Sequence, residues 1–90
     1  MEMIRKENKV ALIDDDQEVA YMSWNIKNNL MYVNHTYTID SYRGQGLHQK
    51  LLSAVIDIAL EKNIKIIPVC SYVSKKFEQP EYNVVDGRIK

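Results

Sequence analysis

Ninety residues, 46% apolar and 27% charged, suffice for one small globular domain and are too few for two. Twelve basic residues balance twelve acidic ones, so the overall charge points to neither a nucleic-acid nor a membrane partner. The one cysteine, Cys70, has no partner for an internal disulfide. Residues 1–6 carry charge and no apolar h-region, and no apolar run reaches the length of a membrane span, so a cytoplasmic protein is expected.

In chain order, residues 9–13 form a short apolar run. Asp14, Asp15, Asp16 and Gln17 then supply a turn, and residues 18–26 resume with Val19, Tyr21, Met22 and Trp24, which predicts a hairpin. Lys27, Asn28 and Asn29 give a second turn, since asparagine tolerates positive φ, and residues 30–39 read as a long β-branched and aromatic strand. Three antiparallel strands are therefore expected. From Gly46 the apolar period changes. Leu47, Leu51, Val55, Ile58 and Ala59 recur at helical spacing, and Leu52, Ile56 and Leu60 widen the stripe, so a helix is predicted that ends near Asn63.

Residues 64–70 are almost continuously apolar, as in a buried strand lying parallel to 30–39 after a right-handed crossover. Pro68 has no N–H for the ladder, so pairing is expected to lapse there and leave the two strands splayed. Such a gap at the carboxyl ends of parallel strands is where α/β proteins place ligands. Residues 71–77 read as a short helix capped by Ser71 and stopped by Pro80.

The segment joining the long strand to the long helix, Asp40-Ser41-Tyr42-Arg43-Gly44-Gln45-Gly46-Leu47-His48, reads as an anion cradle. Gly44 and Gly46 permit a tight turn and a close backbone approach, the N–H groups at the helix start offer donors to phosphate oxygens, and Arg43 adds a charged fork. Ordinary strand-to-helix turns share this two-glycine pattern. His48, in the first helical turn, is a candidate phosphate contact, although a charged imidazole is unfavourable there without that anion.

Cys70 ends the last strand just before a helix start, where peptide dipoles favour thiolate; it is a nucleophile, a pocket-lining residue or a small buried hydrophobe. His35 lies on the strand face of Met31, Val33, Tyr37 and Ile39, as a general base or a hydrogen-bonded core residue. Tyr72 is a packing residue or a proton donor. Lys75 and Lys76 either screen ligand phosphates or sit on the surface, and Trp24 belongs to the core. Asp14-Asp15-Asp16 lacks the ligand spacing of a calcium loop and is taken as a solvated turn, with no metal expected.

The order strand, R-G-Q-G-L, amphipathic helix, apolar strand resembles the acetyl-CoA-binding core of the GNAT acyltransferase superfamily. More narrowly, His35-Thr36-Tyr37, Arg43-Gly44-Gln45-Gly46, Ile67-Pro68-Val69-Cys70-Ser71-Tyr72 and Pro80-Glu81-Tyr82 resemble the small, single-domain GNAT-like family of predicted acetyltransferases, over almost the whole chain. Ser41 and His48 stand where the wider superfamily often has Gln or Arg, and Gly or Ala.

The resemblance implies an α/β (α+β) domain over 1–90, with three antiparallel strands, then a βαβ unit with splayed parallel strands and a short C-terminal helix. It implies acetyl-CoA as cosubstrate, held by Thr38, Arg43, Gly44, Gln45, Gly46, Leu47, His48, Cys70 and Tyr72. Cys70, His35 and Tyr72 are then the catalytic candidates for N-acetylation of an unidentified amine, directly or through Cys70, in a monomer or homodimer. The alternatives are a CoA-binding or protein-interaction module with vestigial activity, and a thiol redox sensor built on Cys70.

Overall fold

The computed structural model describes residues 1–88. Five strands, β1 (Glu2–Arg5), β2 (Lys9–Asp14), β3 (Gln17–Lys27), β4 (Leu30–Thr38) and β5 (Lys65–Pro68), form one sheet in the order β1-β2-β3-β4-β5. The first four are antiparallel, and β5 runs parallel to β4 after the crossover helix α1 (Leu47–Lys62). A short helix α2 (Ser71–Lys76) follows β5. The mixed α/β architecture and the crossover unit agree with the sequence pattern.

The antiparallel part has one strand more than expected. β1 pairs with β2 from Glu2↔Ile13 to Arg5↔Val10, and its Glu and Arg ends with only Ile4 half-buried give it no apolar alternation to detect. Short, charged strands suit a sheet edge because they discourage pairing with another chain. Arg5 reaches across to α1 and meets Glu61 with two N–O distances of 3.0 Å. Both side chains are exposed and screened by solvent, so the pair aligns β1 with the helix more than it stabilises it.

The β2–β3 and β3–β4 turns each use two residues in the left-handed region, Asp15 (φ 53°) with Asp16 (φ 61°) and Asn28 (φ 54°) with Asn29 (φ 62°). That geometry matches the strand twist, and Asp and Asn tolerate it better than other non-glycine residues.

Cross-strand partners share a face, so the pairs Val10↔Met22, Leu12↔Ala20, Trp24↔Val33 and Met31↔Ile66 line one side of the sheet. Leu47, Leu51, Leu52, Val55, Ile58 and Ala59 of α1 are buried in the same apolar cluster. Each large aliphatic side chain so buried contributes about 1.5–3 kcal/mol relative to exposure, which outweighs the surface ion pairs.

A β-bulge in β4 corrects the expected facing of its second half. Ser23 pairs with His35 and Trp24 with Val33, which leaves Asn34 without an opposite residue. Met31 and Val33 face the core before the bulge, and Thr36 and Thr38 take that side after it. His35 and Tyr37 are thereby turned to the far face, where His35 stacks on Tyr21 with ring centroids 5.9 Å apart. The face shared by His35 with Met31 and Val33, expected from strict alternation, does not exist.

The β4–β5 ladder runs from Leu30↔Lys65 to Val33↔Pro68 and stops. The Val33 carbonyl accepts from the N–H groups of both Val69 (3.0 Å) and Cys70 (2.9 Å), closing the ladder at a point. β4 continues to Thr38 while the other chain turns into α2, so the strands part as Pro68 suggested. Cys70, not Ser71, holds the cap position of α2, with φ −67° and ψ 135°, and Ser71 is the first helical residue. No described helix is long and apolar enough to cross a membrane.

The other edge of β5 is covered by the C-terminal segment. Val85 accepts from Ile66 N–H and Ile66 accepts from Gly87 N–H, both at 2.7 Å. Between them Asp86, 2% exposed, receives Arg88 Nε at 3.0 Å and Nη2 at 2.9 Å. The guanidinium holds this carboxyl below its ordinary range, so the pair contributes stability above about pH 3.8 that is lost as pH falls through the lower folded value. Gly87→Ala tests this packing, because a Cβ there would lie 2.8 Å from Ile67 Cδ1 and 3.1 Å from the Ile66 carbonyl. A loss of about 1–3 kcal/mol is expected, which thermal unfolding reads as a fall of roughly 4–8 °C per kcal/mol; an unchanged midpoint would show that the segment does not pack on β5.

Candidate functional site

A cleft of about 330 Å³ opens on the core side of β4 where β5 has left it. Thr36 and Thr38 of β4 form its floor, Arg43, Gly44 and Gly46 one side, Leu47 and His48 the first turn of α1, and Tyr72 of α2 the opposite wall. Its size suits a segment of an extended ligand. Bulge and splay create it together: one turns two threonines inward, and the other removes the strand that would cover them.

The loop is held from both ends. Ile39 N–H donates to Val19 O at 2.9 Å, a 3₁₀ turn Asp40–Tyr42 follows, and Arg43 N–H donates to Asp40 O at 3.2 Å. Tyr42 Oη donates to Asp14 Oδ2 at 2.6 Å, tying the loop to the β2–β3 turn. That hydrogen bond, with some burial, raises the Tyr42 pKa, so the phenol stays a donor.

Gly44 (φ +83°) and Gly46 (φ +73°) take the left-handed conformation, and a Cβ on either would meet no heavy atom within 4 Å. The glycines are thus required by the turn, and the space beside them is open. Gly46 caps α1, and its carbonyl accepts from Lys50 N–H at 3.4 Å. No acceptor among the described residues meets the N–H groups from Gly44 to Gln49. Six donors at the positive end of a helix of 16 residues make an anion site in physical terms. Arg43 stands beside them with Nε 3.2 Å from Asp40 Oδ1, a pair exposed enough for the guanidinium to turn toward a ligand.

Two buried polar atoms have no partner among the described residues, Thr38 Oγ1 and His48 Nε2, and both belong to residues lining the cleft. A buried polar atom left without any partner costs about 1–3 kcal/mol, so both atoms call for a hydrogen-bonding group in the cleft. The His48 ring meets Tyr72 edge-on, with centroids 5.1 Å apart and planes at 70°. Burial, then the charge of Arg43, lowers the His48 pKa; burial, then Tyr82, raises that of Tyr72.

The structure thus gathers Thr38, Arg43, Gly44, Gly46, Leu47, His48 and Tyr72 around one cleft. Gln45 is exposed in the loop and does not line it. Cys70 is half-buried at the apex of the splay, its N–H on Val33 O, and is likewise outside the lining. His35 lies on the far face of the sheet, away from the cleft, because of the bulge. Thr36, Tyr42 and Gln49 line the cleft without having been singled out, and Tyr37, whose ring lies against Tyr21 on the far face, borders it too; Tyr42, adjacent to Arg43, had a positional signal, whereas Thr36 needed the bulge. Lys75 and Lys76 edge a smaller hollow of about 170 Å³ that shares Tyr72, with Lys76 Nζ 5.9 Å from its ring centroid. The described residues hold no group of three or more His, Cys, Asp or Glu side chains arranged for a metal ion.

The sequence profile of the GCN5-related N-acetyl-transferase family matches residues 9–85. Protein NATD1 of Gallus gallus, Mus musculus and Homo sapiens is 32% identical over 53 residues, 56% of this chain. The chain spans about half the length of these relatives, 48%, 48% and 47%. Among solved structures, a GCN5-like protein from Staphylococcus aureus superposes with a TM-score of 0.77 and 34% identity, covering 94% of this chain and 86% of that one. The aminoglycoside N-acetyltransferase AAC(6')-Iy in complex with CoA shares the fold at a TM-score of 0.58 and 15% identity, over 79% of this chain and 63% of that one.

Tyr42→Phe is expected to keep the fold and to lose the bond to Asp14, a cost of about 0.5–1.5 kcal/mol in denaturant unfolding. Tyr42→Phe combined with Asp14→Ala should cost little more than the Asp14 change alone; additive losses would show that the two side chains act separately.

Proposed function

The chain belongs to the GCN5-related N-acetyl-transferase family, and we propose that it moves the acetyl group of acetyl-CoA directly to an amine in the cleft between β4 and α2. The observation that carries this reading is the row of unmet N–H donors from Gly44 to Gln49 at the mouth of splayed parallel strands. An acyl carrier with a diphosphate and a long flexible arm matches both parts. The CoA complex of a protein sharing this fold supports the same choice.

In this reading the diphosphate rests on the glycine loop with Arg43 beside it. The pantetheine arm follows the edge of β4 beyond Val33, where its amides can complete hydrogen bonds that β5 no longer makes. Thr38 Oγ1 is positioned to gain a partner there. The thioester then reaches toward the apex near Cys70. A neutral amine attacks the carbonyl carbon, a C–N bond forms, and strand N–H groups steady the oxyanion. The C–S bond breaks, the amine nitrogen loses a proton, and the CoA thiolate is protonated. Tyr72 suits that last step, since its raised pKa keeps the phenol protonated. Direct transfer does not require Cys70.

Acetyl-CoA at a hundred times its Kd should stabilise the protein by about 2.7 kcal/mol, read as a rise in thermal midpoint; no shift and no heat of binding would end this reading. Arg43→Ala should weaken CoA binding by about 1–3 kcal/mol, less at high salt. An equal loss for pantetheine, which lacks the diphosphate, would contradict the assignment of Arg43. Cys70→Ser should retain acetyl transfer to an added amine, and mass spectrometry of the wild-type protein should find no hydroxylamine-sensitive acetyl group; detection of that group, absent in Cys70→Ser, would replace direct transfer by a covalent route.

A further inference from the structure

His48 offers more than a place in the wall. Its Nε2 is buried without a partner, its ring lines the cleft, and it stands in the first turn of α1 directly after the glycine loop. Thr38, 5% exposed, leaves a second buried atom without a protein partner in the same cleft, so both point to one site. We propose that His48 is a phosphate-binding residue that takes up a proton from solvent when a diphosphate docks on the glycine loop, which makes occupancy of the cleft proton-linked.

The charged and titratable groups around the imidazole are Arg43 from the loop and Tyr72 from α2, with Lys76 over the Tyr72 ring. Tyr82 stands behind them and accepts from Gln49 Nε2 at 3.4 Å, and Thr38 adds a neutral hydroxyl. Burial and then Arg43 both oppose a charged imidazole, as does the positive helix end, so the free protein favours the neutral ring. A diphosphate reverses the sign of the local field: it neutralises Arg43 and the helix end, and it accepts from an imidazolium N–H. Rotation about the side-chain bonds brings a ring nitrogen to the ligand. Because the charged form is favoured only in the complex, affinity rises as pH falls and declines as pH rises through the bound-state pKa.

The chain tests this cleanly, having two histidines, one in the cleft and the other on the far face of the sheet. The inference rests on the CoA reading above, and dephospho-CoA is the suitable probe. It keeps the diphosphate and lacks the 3′-phosphate, whose second ionisation near pH 6 would confuse the profile. Calorimetry in buffers of different ionisation enthalpy should show net proton uptake between pH 6 and 7, with Kd roughly three- to tenfold lower at pH 6 than at pH 8. His48→Gln should bind more weakly and without proton uptake, and His35→Gln should keep the uptake of the native chain.

In the wild-type protein, the NMR titration midpoint of the His48 imidazole should move up on binding, a measurement that does not depend on any variant folding. Binding without proton uptake, uptake that persists in His48→Gln, or an unmoved His48 midpoint would overturn the proposal and leave the CoA reading intact. No binding at any pH would remove both.

Discussion

Everything in the cleft follows from where the β4–β5 ladder stops. Val33 is the last residue of β4 to find a parallel partner, and its carbonyl takes two N–H groups where a continuing ladder would give one. Pro68, opposite it, has no N–H to contribute. From that point the sheet edge of β4 is free, and the chain beyond β5 is released into α2. If the ladder ran four residues further, a strand would fill the space that Tyr72 now borders and the glycine loop would face the side of a closed sheet.

The extra residue at Asn34 is the complement of this opening. A bulge reverses which side chains face each way beyond it, so Thr36 and Thr38 arrive where β5 has exposed the core side of the sheet, and His35 and Tyr37 leave it. On the core side the strand consequently offers the Thr36 and Thr38 hydroxyls, while the rings of His35 and Tyr37 pack around Tyr21 on the far face. The buried Thr38 hydroxyl has no partner among the described residues, and a group that hydrogen-bonds it spares the cost of leaving it unmet. Polar atoms placed in this way favour a ligand of matching donors and acceptors over an apolar one.

How much of this was legible depended on the range of the interaction that fixes each part. The turns at Asp15-Asp16 and Asn28-Asn29, α1 with its stop at Asn63, and the lapse at Pro68 are set by residues within a few positions, and each was visible in the sequence. So was the tight turn at Gly44 and Gly46, because glycine takes left-handed backbone at no steric cost, although ordinary strand-to-helix turns share the pattern. The facing of His35 was not, since the bulge is decided by pairing with β3 and leaves Asn34 chemically unmarked. β1 escaped because four residues with charges at both ends and Met3 and Ile4 side by side show no apolar period. The pairing of residues 85–87 with β5 escaped for the same reason as the bulge, being a contact made across the fold.

Every strand in this sheet lies beside its neighbour in sequence, so the meander β1 to β4 is joined by loops of a few residues and closes at little entropic cost. The β4–β5 pair is different: the whole of α1 intervenes, and it is the least local pairing between named strands. A molecule lying against both β4 and α2 spans the two ends of that long excursion. It acts on the chain as a non-covalent staple, adding contacts at the junction where only four residue pairs hold β5 to β4. The stability of the empty protein and the reach of its ligand are therefore linked through one short ladder, and opening fluctuations of the fold should be concentrated there.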